Sequence, residues 1–528
     1  MPVQGCIREL EHEEPLERIP CANGPACKES GSMVCSACRL VTYCSKVAHR
    51  KSHKQACKNP MRNDGWGPAW VTEGRIPSFP APGGGNDEEQ VLRETGVTGV
   101  GCSLWGNTPA MDTINMSLNE NDPTKDISLA FIASGDLRDV IKTVNALPEN
   151  YSGELTVLIN DGNMHLACRN LILLLVLGSM DDEAIGTDLA LHFWYSILLP
   201  AAYEQLLAGA ILTFLQFVGK TKVGAPPPFQ LTSTSTVMVP MAYGTEEGML
   251  RYLGACNVPP EAARMEHIRI RNVPSQRDIS SRLYYNLRPS HRVAFQEYRR
   301  TGMLLPFGAD HSPYTIANSS LFEEESGKWF QDDRADPLFG RDICEVVATG
   351  KEYGASAEDV YGCLYFFLQE QLRRFHQRIR KFRVAFRVTA FEATNLADLI
   401  MQDKLSGYGL PSSIRFDRIA TSNILDQIFI RTATIVGYFM NWRAYEKAAT
   451  VDGASKSVND EIEMEKTNEA VTMYDEMNTL YDNSKPFLTY LKKQGLKSVL
   501  RQTGLTLKEG HTIVPHASHH PPKVYRSH

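Results

Sequence analysis

Cysteine and histidine residues crowd the amino-terminal end of this chain. Seven of its 12 cysteines fall within the first 57 residues, and two histidines stand close among them. Thiolate and imidazole groups are ligands that zinc prefers in proteins, and a tetrahedral zinc ion takes four of them. Eight residues are therefore candidates for two metal sites: Cys21, Cys27, Cys35, Cys38, Cys44, His49, His53 and Cys57.

The spacing of these candidates divides them into two sets. Cys35 and Cys38 form a C-x2-C knuckle, whereas His53 and Cys57 stand one helical turn apart, on the same face of a short helix. These four residues predict one tetrahedral site. The remaining four candidates predict a second site, so that ligand pairs alternate along the chain and the two sites interlock.

Disulfide bonds are the alternative use for so many cysteines. The chain begins MPVQGCIRELEHEEPLE, with no basic start and no apolar signal core, so we expect no export to an oxidising compartment. Spacing and compartment together favour zinc. His49 has an alternative of its own, because beside Arg50 and Lys51 it would be a solvated helix residue and not a ligand.

A zinc ion with four protein ligands has no position open to water or substrate, so we expect both sites to stabilise the fold and not to catalyse. The basic run at residues 49–54 could meet phosphates, but a solvated helix face beside the metal is the interpretation that we favour. The formal net charge of −6 at pH 7 gives no reason to expect a nucleic-acid partner.

The same segment resembles a known family of zinc modules. It is similar to the MYND-type zinc finger, as fungal proteins carry it, in four places: Cys21-x5-Cys27, Cys35-x2-Cys38, residues 41–45 (VTYCS), and His53 with Cys57. The chain departs from that family at Ala48, where a further cysteine is usual, so that only His49 can supply the missing ligand. The resemblance implies a scaffold that presents a groove to short, often proline-rich, peptide motifs of partner proteins, and it does not imply DNA binding.

The stretch after the finger changes character. Residues 58–100 contain proline and glycine runs without a hydrophobic period and predict a linker that tethers the finger without docking it rigidly. Trp66, Trp70 and Phe79 are the residues that could anchor part of this linker to the body. The predicted organisation is a zinc finger at 21–57, the linker at 58–100, the first half of a Rossmann-like domain at 101–180, a mostly helical insertion at 181–381, the second half with C-terminal helices at 382–510, and a flexible tail at 511–528.

Strands and helices alternate after the linker. Residues 126–133 and 154–160 are apolar runs of strand length, and each leads through a glycine turn into a helical pattern. Residues 383–390 and 416–424 predict two further strands. This order is typical of a doubly wound α/β sheet covered by helices.

The insertion between the two halves supplies three further expectations. Residues 230–236 (QLTSTST) predict a polar loop, and the basic, amphipathic stretch 371–381 predicts a solvated outer helix. Residues 196–218 are apolar, but they contain Glu204 and two glutamines, so we expect no membrane span there and a soluble protein.

Gly135 and Asp161 are the candidates for binding a nucleotide-like cofactor. Gly135 lies in the turn after the first strand, and Asp161 follows the second strand, where a ribose-binding carboxylate stands in such sheets. The turn has a single glycine, and Asp136 and Arg138 narrow the space beside it. Asp161 has an equally good alternative role, because an acid before a glycine and a helix can simply form a turn or cap.

The order of these elements looks like that of class I S-adenosylmethionine methyltransferases. Several strings also resemble a fungal family in which a MYND finger precedes a methyltransferase-like domain, a domain similar to the N-terminal part of dynein axonemal assembly factor 3. The strings that carry this resemblance are residues 104–110, 134–138, 292–295, 301–308 and 416–423.

Two functions are open at this point. In the first, the protein is an adaptor or regulator in the cytoplasm or nucleus that binds partner peptides through its finger, and its methyltransferase-like body no longer does chemistry. In the second, it is a methyltransferase: Gly135 and Asp161 bind S-adenosylmethionine, and Ser422 and Asn423 face the substrate. Methyl transfer can run on positioning alone, but the single glycine favours the adaptor.

Overall fold

The computed structural model describes most of the chain between residues 15 and 503. The described residues are 15–24, 27–45, 53, 57–75, 103–106, 108–220, 224–240, 245–250, 252, 258–271, 277–285, 287–323, 326–331, 335–421, 434–437 and 484–503. Several predictions lie outside them, namely those on His49, Ser422, Asn423, the tail at 511–528 and the part of the linker at 76–100.

Eleven strands are formed by the described residues. They are β1 (Met33–Val34), β2 (Thr42–Tyr43), β3 (Ile127–Ile132), β4 (Glu154–Asn160), β5 (Leu198–Pro200), β6 (Phe229–Gln230), β7 (Ser235–Met238), β8 (Tyr314–Ala317), β9 (Arg383–Thr389), β10 (Arg418–Thr421) and β11 (Thr434–Gly437).

The α-helices of the same part of the chain lie between and around these strands. They are α1 (Ala69–Thr72), α2 (Arg138–Ala146), α3 (Met164–Ser179), α4 (Glu183–Tyr195), α5 (Ala201–Val218), α6 (Thr245–Leu250), α7 (Pro260–Arg271), α8 (Arg277–Tyr285), α9 (Pro289–Thr301), α10 (Ile343–Glu352), α11 (Val360–Lys381), α12 (Ala393–Met401), α13 (Ser484–Lys493) and α14 (Leu496–Thr503).

The main sheet has the strand order β11-β10-β3-β4-β9-β7-β6. Its neighbouring strands are parallel except for β6 and β7, which are antiparallel. The chain runs from β3 to β4 and β9 on one side and then returns to β10 and β11 on the other side of β3. The predicted α/β class is therefore confirmed, and the direction of winding reverses between β3 and β10.

Both faces of the main sheet are buried. In β3, Leu129 and Phe131 belong to the large core, whereas Ala130 and Ile132 belong to a smaller core on the opposite face. Successive side chains of a strand point to opposite faces, so an uninterrupted apolar run is what a strand covered on both sides requires. Helix α3 lies in the large core and is apolar almost all round, which suits a helix surrounded by protein.

Residues 231–234 of the predicted loop form the turn of a hairpin, whereas Gln230, Ser235 and Thr236 belong to its strands β6 and β7. The hairpin extends the sheet, because β7 pairs with β9. The Ser and Thr hydroxyls of this segment hold the hairpin in place. Thr232, Thr234 and Ser235 all donate hydrogen bonds to the carbonyl of Ile379, at 2.7, 2.9 and 2.5 Å, which fixes a sequence without an apolar period against the end of α11.

The prediction of a solvated outer helix at 371–381 is wrong. Phe375 and Ile379 are fully buried, and His376 and Arg378 are nearly so. The arginines do not need solvent because carbonyls distant in sequence accept their hydrogen bonds. Arg380, for example, donates to the carbonyls of Leu177, Gly178 and Met180.

The finger is docked on the body, contrary to the expectation of a loose tether. The backbone N–H of Ile19 donates to the carbonyl of Tyr353 at 3.0 Å, and Leu40, Val41 and Tyr43 are buried in the same core as the sheet. A finger of this size exposes several apolar side chains, and the body covers them.

Helix α5 is long and apolar enough, by length and composition, to cross a membrane. Core helices of soluble proteins pass the same test, but such helices are mostly buried, whereas 33% of this window is buried. The hydroxyl of Tyr203 in this helix donates to the buried Asp188 at 2.6 Å, which attaches α5 to α4.

Candidate functional site

A two-stranded hairpin positions the first metal cluster. Strands β1 and β2 pair antiparallel, with Met33 opposite Tyr43 and Val34 opposite Thr42. The C-x2-C knuckle occupies the turn between them. There the N–H of Cys35 donates to the backbone carbonyl of Val41, and the N–H of Arg39 donates to the backbone carbonyl of Cys35, both at 2.9 Å. The hairpin therefore presents the thiols of Cys35 and Cys38 on one side of a tight turn.

The structure brings together the four residues predicted for this site. The ligand atoms of Cys35, Cys38, His53 and Cys57 all lie within 4.8 Å of one another. The sulfurs of Cys35 and Cys57 are 3.7 Å apart, and Nε2 of His53 is 3.1 Å from the sulfur of Cys35. A tetrahedron with metal–sulfur bonds of about 2.3 Å has sulfur–sulfur edges of about 3.8 Å. The cluster thus has the size that one metal ion fits.

Tyr43 sets the orientation of the histidine ring. Its hydroxyl lies 2.6 Å from Nδ1 of His53, and the tyrosine is completely buried. If Nε2 faces the metal with its lone pair, Nδ1 carries the proton and donates it to the hydroxyl oxygen of Tyr43. Such outer hydrogen bonds fix the tautomer and ring orientation of metal-binding histidines.

The thiols of this cluster do not ionise easily on their own. Burial and the neighbouring thiols of Cys38 and Cys35 raise the pKa of Cys57 to about 12. Burial also raises the pKa of Cys38. Adjacent thiolates repel one another in a buried site, and a bound cation offsets that repulsion, so binding of a metal would release protons.

The second cluster lies beside β2. The ligand atoms of Cys21, Cys27 and Cys44 lie within 4.8 Å of one another, and the sulfurs of Cys27 and Cys44 are 3.6 Å apart. The N–H of Cys44 also points at the sulfur of Cys21, at 3.4 Å. This arrangement matches the predicted grouping for three of the four ligands, and the fourth, His49, lies outside the described residues.

The disulfide alternative does not hold for the described cysteines, which are all free thiols. Sulfur–sulfur distances of 3.6 and 3.7 Å are far longer than a disulfide bond of about 2.05 Å. The described part of the finger therefore carries two clusters that could hold metal ions, with Cys35 and Cys38 in one and Cys44, just past the paired strand, in the other.

At the corner of the sheet beside Gly135, the polar groups of the turn are bonded to one another. Gly135 has a positive φ of 60°, and its N–H donates to Oδ2 of Asp161 at 2.9 Å. The other carboxylate oxygen of Asp161 accepts from the N–H of Asn163, also at 2.9 Å. Both predicted cofactor residues are thus brought together, but they bind each other in the turn-forming arrangement considered from the sequence.

Burial raises the pKa of Asp161, and the amides of Asn163 and Gly135 oppose that shift. Beside it, Asp136 and Arg138 form a buried ion pair with 2.9 Å between Oδ1 and Nε. The second oxygen of Asp136 accepts from the N–H of Gly106 at 2.9 Å. A Cβ built at Gly135 would meet no described atom within 4 Å, so the turn itself faces open space, and the Arg138 guanidinium packs against Gly106 instead.

A small cleft lies beside this corner, between α2 and α11. Arg138, Trp194, Arg341 and Phe367 are among its lining residues, and its volume is about 70 Å³. Pockets for small molecules and cofactors usually measure roughly 300–1,000 Å³. The cleft is therefore too small for a nucleotide-like cofactor.

Sequence reasoning missed two residues of the finger region. Tyr43 is adjacent to a predicted ligand, but nothing in its spacing shows which ring it faces. Arg62 donates to the carbonyl of Cys57 at 2.6 Å and also to that of Ala37, although it lies in the predicted linker. Trp66 and Trp70, large apolar side chains close by in the same stretch, are the signal that indicates an ordered segment.

Comparison with protein families gives a match over part of the chain. Residues 104–199 match the family described as a domain of unknown function (DUF4470). The matched stretch begins before β3 and ends in β5, so it contains both Gly135 and Asp161. No curated protein and no solved structure matches the chain significantly.

Proposed function

We propose that this protein is a zinc-binding interaction protein, an adaptor or regulator whose finger binds short peptide motifs of partner proteins. The observation that carries the proposal is the first metal cluster, whose three thiols and one imidazole lie within 4.8 Å of one another. Four side chains complete a tetrahedral shell and leave no position for water or a substrate, so the site is structural.

Zinc is the metal that suits these donors. Three sulfurs and one imidazole nitrogen in a tetrahedral arrangement are typical of structural zinc sites, whereas magnesium and calcium prefer oxygen ligands. In the second site, His49 is the proposed fourth ligand beside Cys21, Cys27 and Cys44. Free thiols in this number suit a reducing compartment, and we place the protein in the cytoplasm or nucleus.

The partners that we propose are short peptides, proline-rich ones among them, as the MYND-like spacing implies. The hairpin of the finger keeps the apolar side chain of Val34 44% exposed, which leaves a contact point for such a peptide. The net charge of −6 gives no support to a nucleic-acid partner.

Counting bound zinc tests the metal half of this proposal. Native mass spectrometry of the full chain should give two zinc ions, and Cys38→Ser and Cys27→Ser should each weaken one site. Ser32→Ala is the matched control, because Ser32 is an exposed serine of the finger and belongs to neither cluster. Less than one zinc ion per chain would end the proposal.

Peptide binding is tested separately. A panel of labelled proline-rich peptides is titrated with the zinc-loaded protein and with the chelated protein, and fluorescence anisotropy is measured. We expect saturable binding to the zinc-loaded form only. Equal binding to both forms, or binding to neither, would contradict a peptide-binding finger.

A methyltransferase is the second candidate. A parallel α/β sheet whose winding reverses between β3 and β10 supports it, because ligands of such sheets bind at the carboxyl ends of the strands near that reversal. The N–H of Gly135 and both carboxylate oxygens of Asp161 already bond within the turn, and this weighs against it. Calorimetry with S-adenosylmethionine decides: heat of binding that is lost in Asp161→Asn would favour the enzyme, and no heat at millimolar ligand would favour the adaptor.

A further inference from the structure

Residues 59–75, which we call the strap, lie between the first metal cluster and the body. They contain a 3-10 helix at Pro60–Arg62 and the short helix α1. Met61 and Trp70 of the strap are buried. This segment is part of the predicted linker, yet it contacts the finger at one end and helices α8 and α9 along its length.

Arg62 fastens the strap to the metal cluster. Its guanidinium donates to the carbonyl of Cys57, at 2.6 Å, and to the carbonyl of Ala37. Cys57 is itself a member of the cluster, and Ala37 lies inside the C-x2-C knuckle. The two acceptors lie within reach of one guanidinium because the knuckle and Cys57 meet at the cluster.

Arg292 of α9 fastens the strap to the body. Only 1% of this residue is exposed, and Nη1 donates to the strap carbonyls of Met61, at 3.4 Å, and Asn63, at 3.2 Å. Nε and Nη2 of Arg292 donate to the carbonyls of Tyr284 and Tyr285, at the end of α8. One buried guanidinium thus joins the strap and the two body helices.

Further contacts run along the strap. The ring of Trp66 lies under the Arg292 guanidinium at 5.1 Å, and Asn59 donates to Gln296 of α9 at 2.6 Å. Near the end of the strap, Arg75 forms a bidentate ion pair with Asp278 of α8, at 2.6 and 2.8 Å. Asp278 is 5% exposed whereas Arg75 is 36% exposed, so solvent partly screens this pair.

We propose that the first metal centre acts as a latch that holds the strap over α8 and α9. Without bound metal, the knuckle and Cys57 have no common partner, and the carbonyls that accept from Arg62 lose their fixed positions. The strap then loosens, Arg292 loses the strap carbonyls that accept from it, and the aromatic side chains of Tyr284 and Phe295 become accessible to water. The latch rests on the zinc binding proposed above and gives it a role beyond the finger.

Hydrogen exchange of the full chain tests the latch. Phenanthroline removes the metal, zinc loss is measured by elemental analysis, and exchange is followed at residues 59–75, 277–301 and, as an internal reference, 127–160. We expect exchange at 59–75 and 277–301 to become about tenfold faster or more, with the reference unchanged. Loss of zinc without any change at 277–301 would overturn the latch and leave the zinc sites standing, whereas absence of zinc before chelation would overturn the proposed function itself.

A variant with its zinc in place makes the second test. Arg62→Ala removes the link between strap and cluster without removing a ligand, and Lys58→Ala changes an exposed neighbour. We expect Arg62→Ala to retain zinc and to exchange faster at 59–75 and 277–301, and Lys58→Ala to behave as the natural protein does. The two variants giving the same exchange would show that Arg62 does not couple the finger to the body.

Discussion

The hydrogen bond between Tyr43 and His53 is the residue-scale feature on which the first metal centre depends. Tyr43→Phe removes the hydroxyl that lies 2.6 Å from Nδ1 and keeps the buried ring. A histidine without its outer partner is free to turn or change tautomer, so we expect zinc affinity to fall by about 10–100-fold. Competition with a chromophoric chelator measures this affinity.

The control for that change is Tyr353→Phe. The hydroxyl of Tyr353 donates to Glu370 at 2.7 Å, away from the cluster, while its backbone carbonyl still receives the N–H of Ile19. This variant should bind zinc as the natural protein does. A Tyr43→Phe variant with unchanged affinity would show that other contacts alone orient the ring.

At the scale of elements, the seat of the finger on the body depends on Gly308. This residue has a φ of 85°, and a Cβ placed there would come within 2.9 Å of Cβ of Ala22 in the finger. Gly308→Ala should therefore combine backbone strain with a clash and lower the free energy of unfolding by about 1–3 kcal/mol. The amides of Ile19 and Ala22 should exchange faster.

Gly224→Ala separates the two causes. Gly224 has almost the same φ, 83°, but no described atom lies within 4 Å of a Cβ at that position. It should show the backbone strain alone and leave the exchange of the finger amides unchanged. Faster exchange of the finger amides in both variants, or in neither, would argue against a docked finger.

At the scale of the whole molecule, the sequence predicted secondary-structure elements better than it predicted the contacts between elements that are distant in sequence. The strand at 154–160 was predicted to the residue, because an apolar run between turn residues has few other uses. The grouping of cysteines also followed from spacing, since a knuckle and a helical turn each place two ligands on one side. In both cases the information lies within a few neighbouring residues.

The predictions that were wrong or incomplete concern partners that are distant in sequence. Arg380 is satisfied by carbonyls at the end of α3, and the hairpin of β6 and β7 is held by the carbonyl of Ile379. Neither partner can be read from the residues around it. The docking of the finger was missed for the same reason. Composition shows that residues 58–100 differ from the segments around them, but it does not show which surface of the body they cover.

The stability of the protein should depend on pH through its buried carboxyl groups and its buried histidines. Burial raises the pKa of Asp139 to about 6 and that of Asp359 to about 7. Burial also lowers the pKa of His267, His291 and His376. The contribution of the buried carboxyls to the free energy of unfolding falls as pH rises toward 7. The contribution of the buried histidines falls as pH drops below about 6.5, so the two effects oppose each other in the natural protein.

The Asp359→Asn variant isolates the contribution of one buried carboxyl to this pH dependence. Asp359 caps α11 and accepts the N–H groups of Phe307, at 2.8 Å, and Gly362, at 3.0 Å. Between its usual pKa of 3.8 and about 7, the folded protein holds a proton that the unfolded chain has released. Within that window, the free energy of unfolding of the natural protein, measured relative to Asp359→Asn, should fall by about 1.4 kcal/mol per pH unit as pH rises. Above a pH of about 7, this difference should no longer change with pH. Urea unfolding between pH 5 and pH 8 measures the difference, with the exposed Glu352→Gln as control. Parallel pH profiles for the natural protein and Asp359→Asn would mean that the carboxyl ionises normally in the folded state.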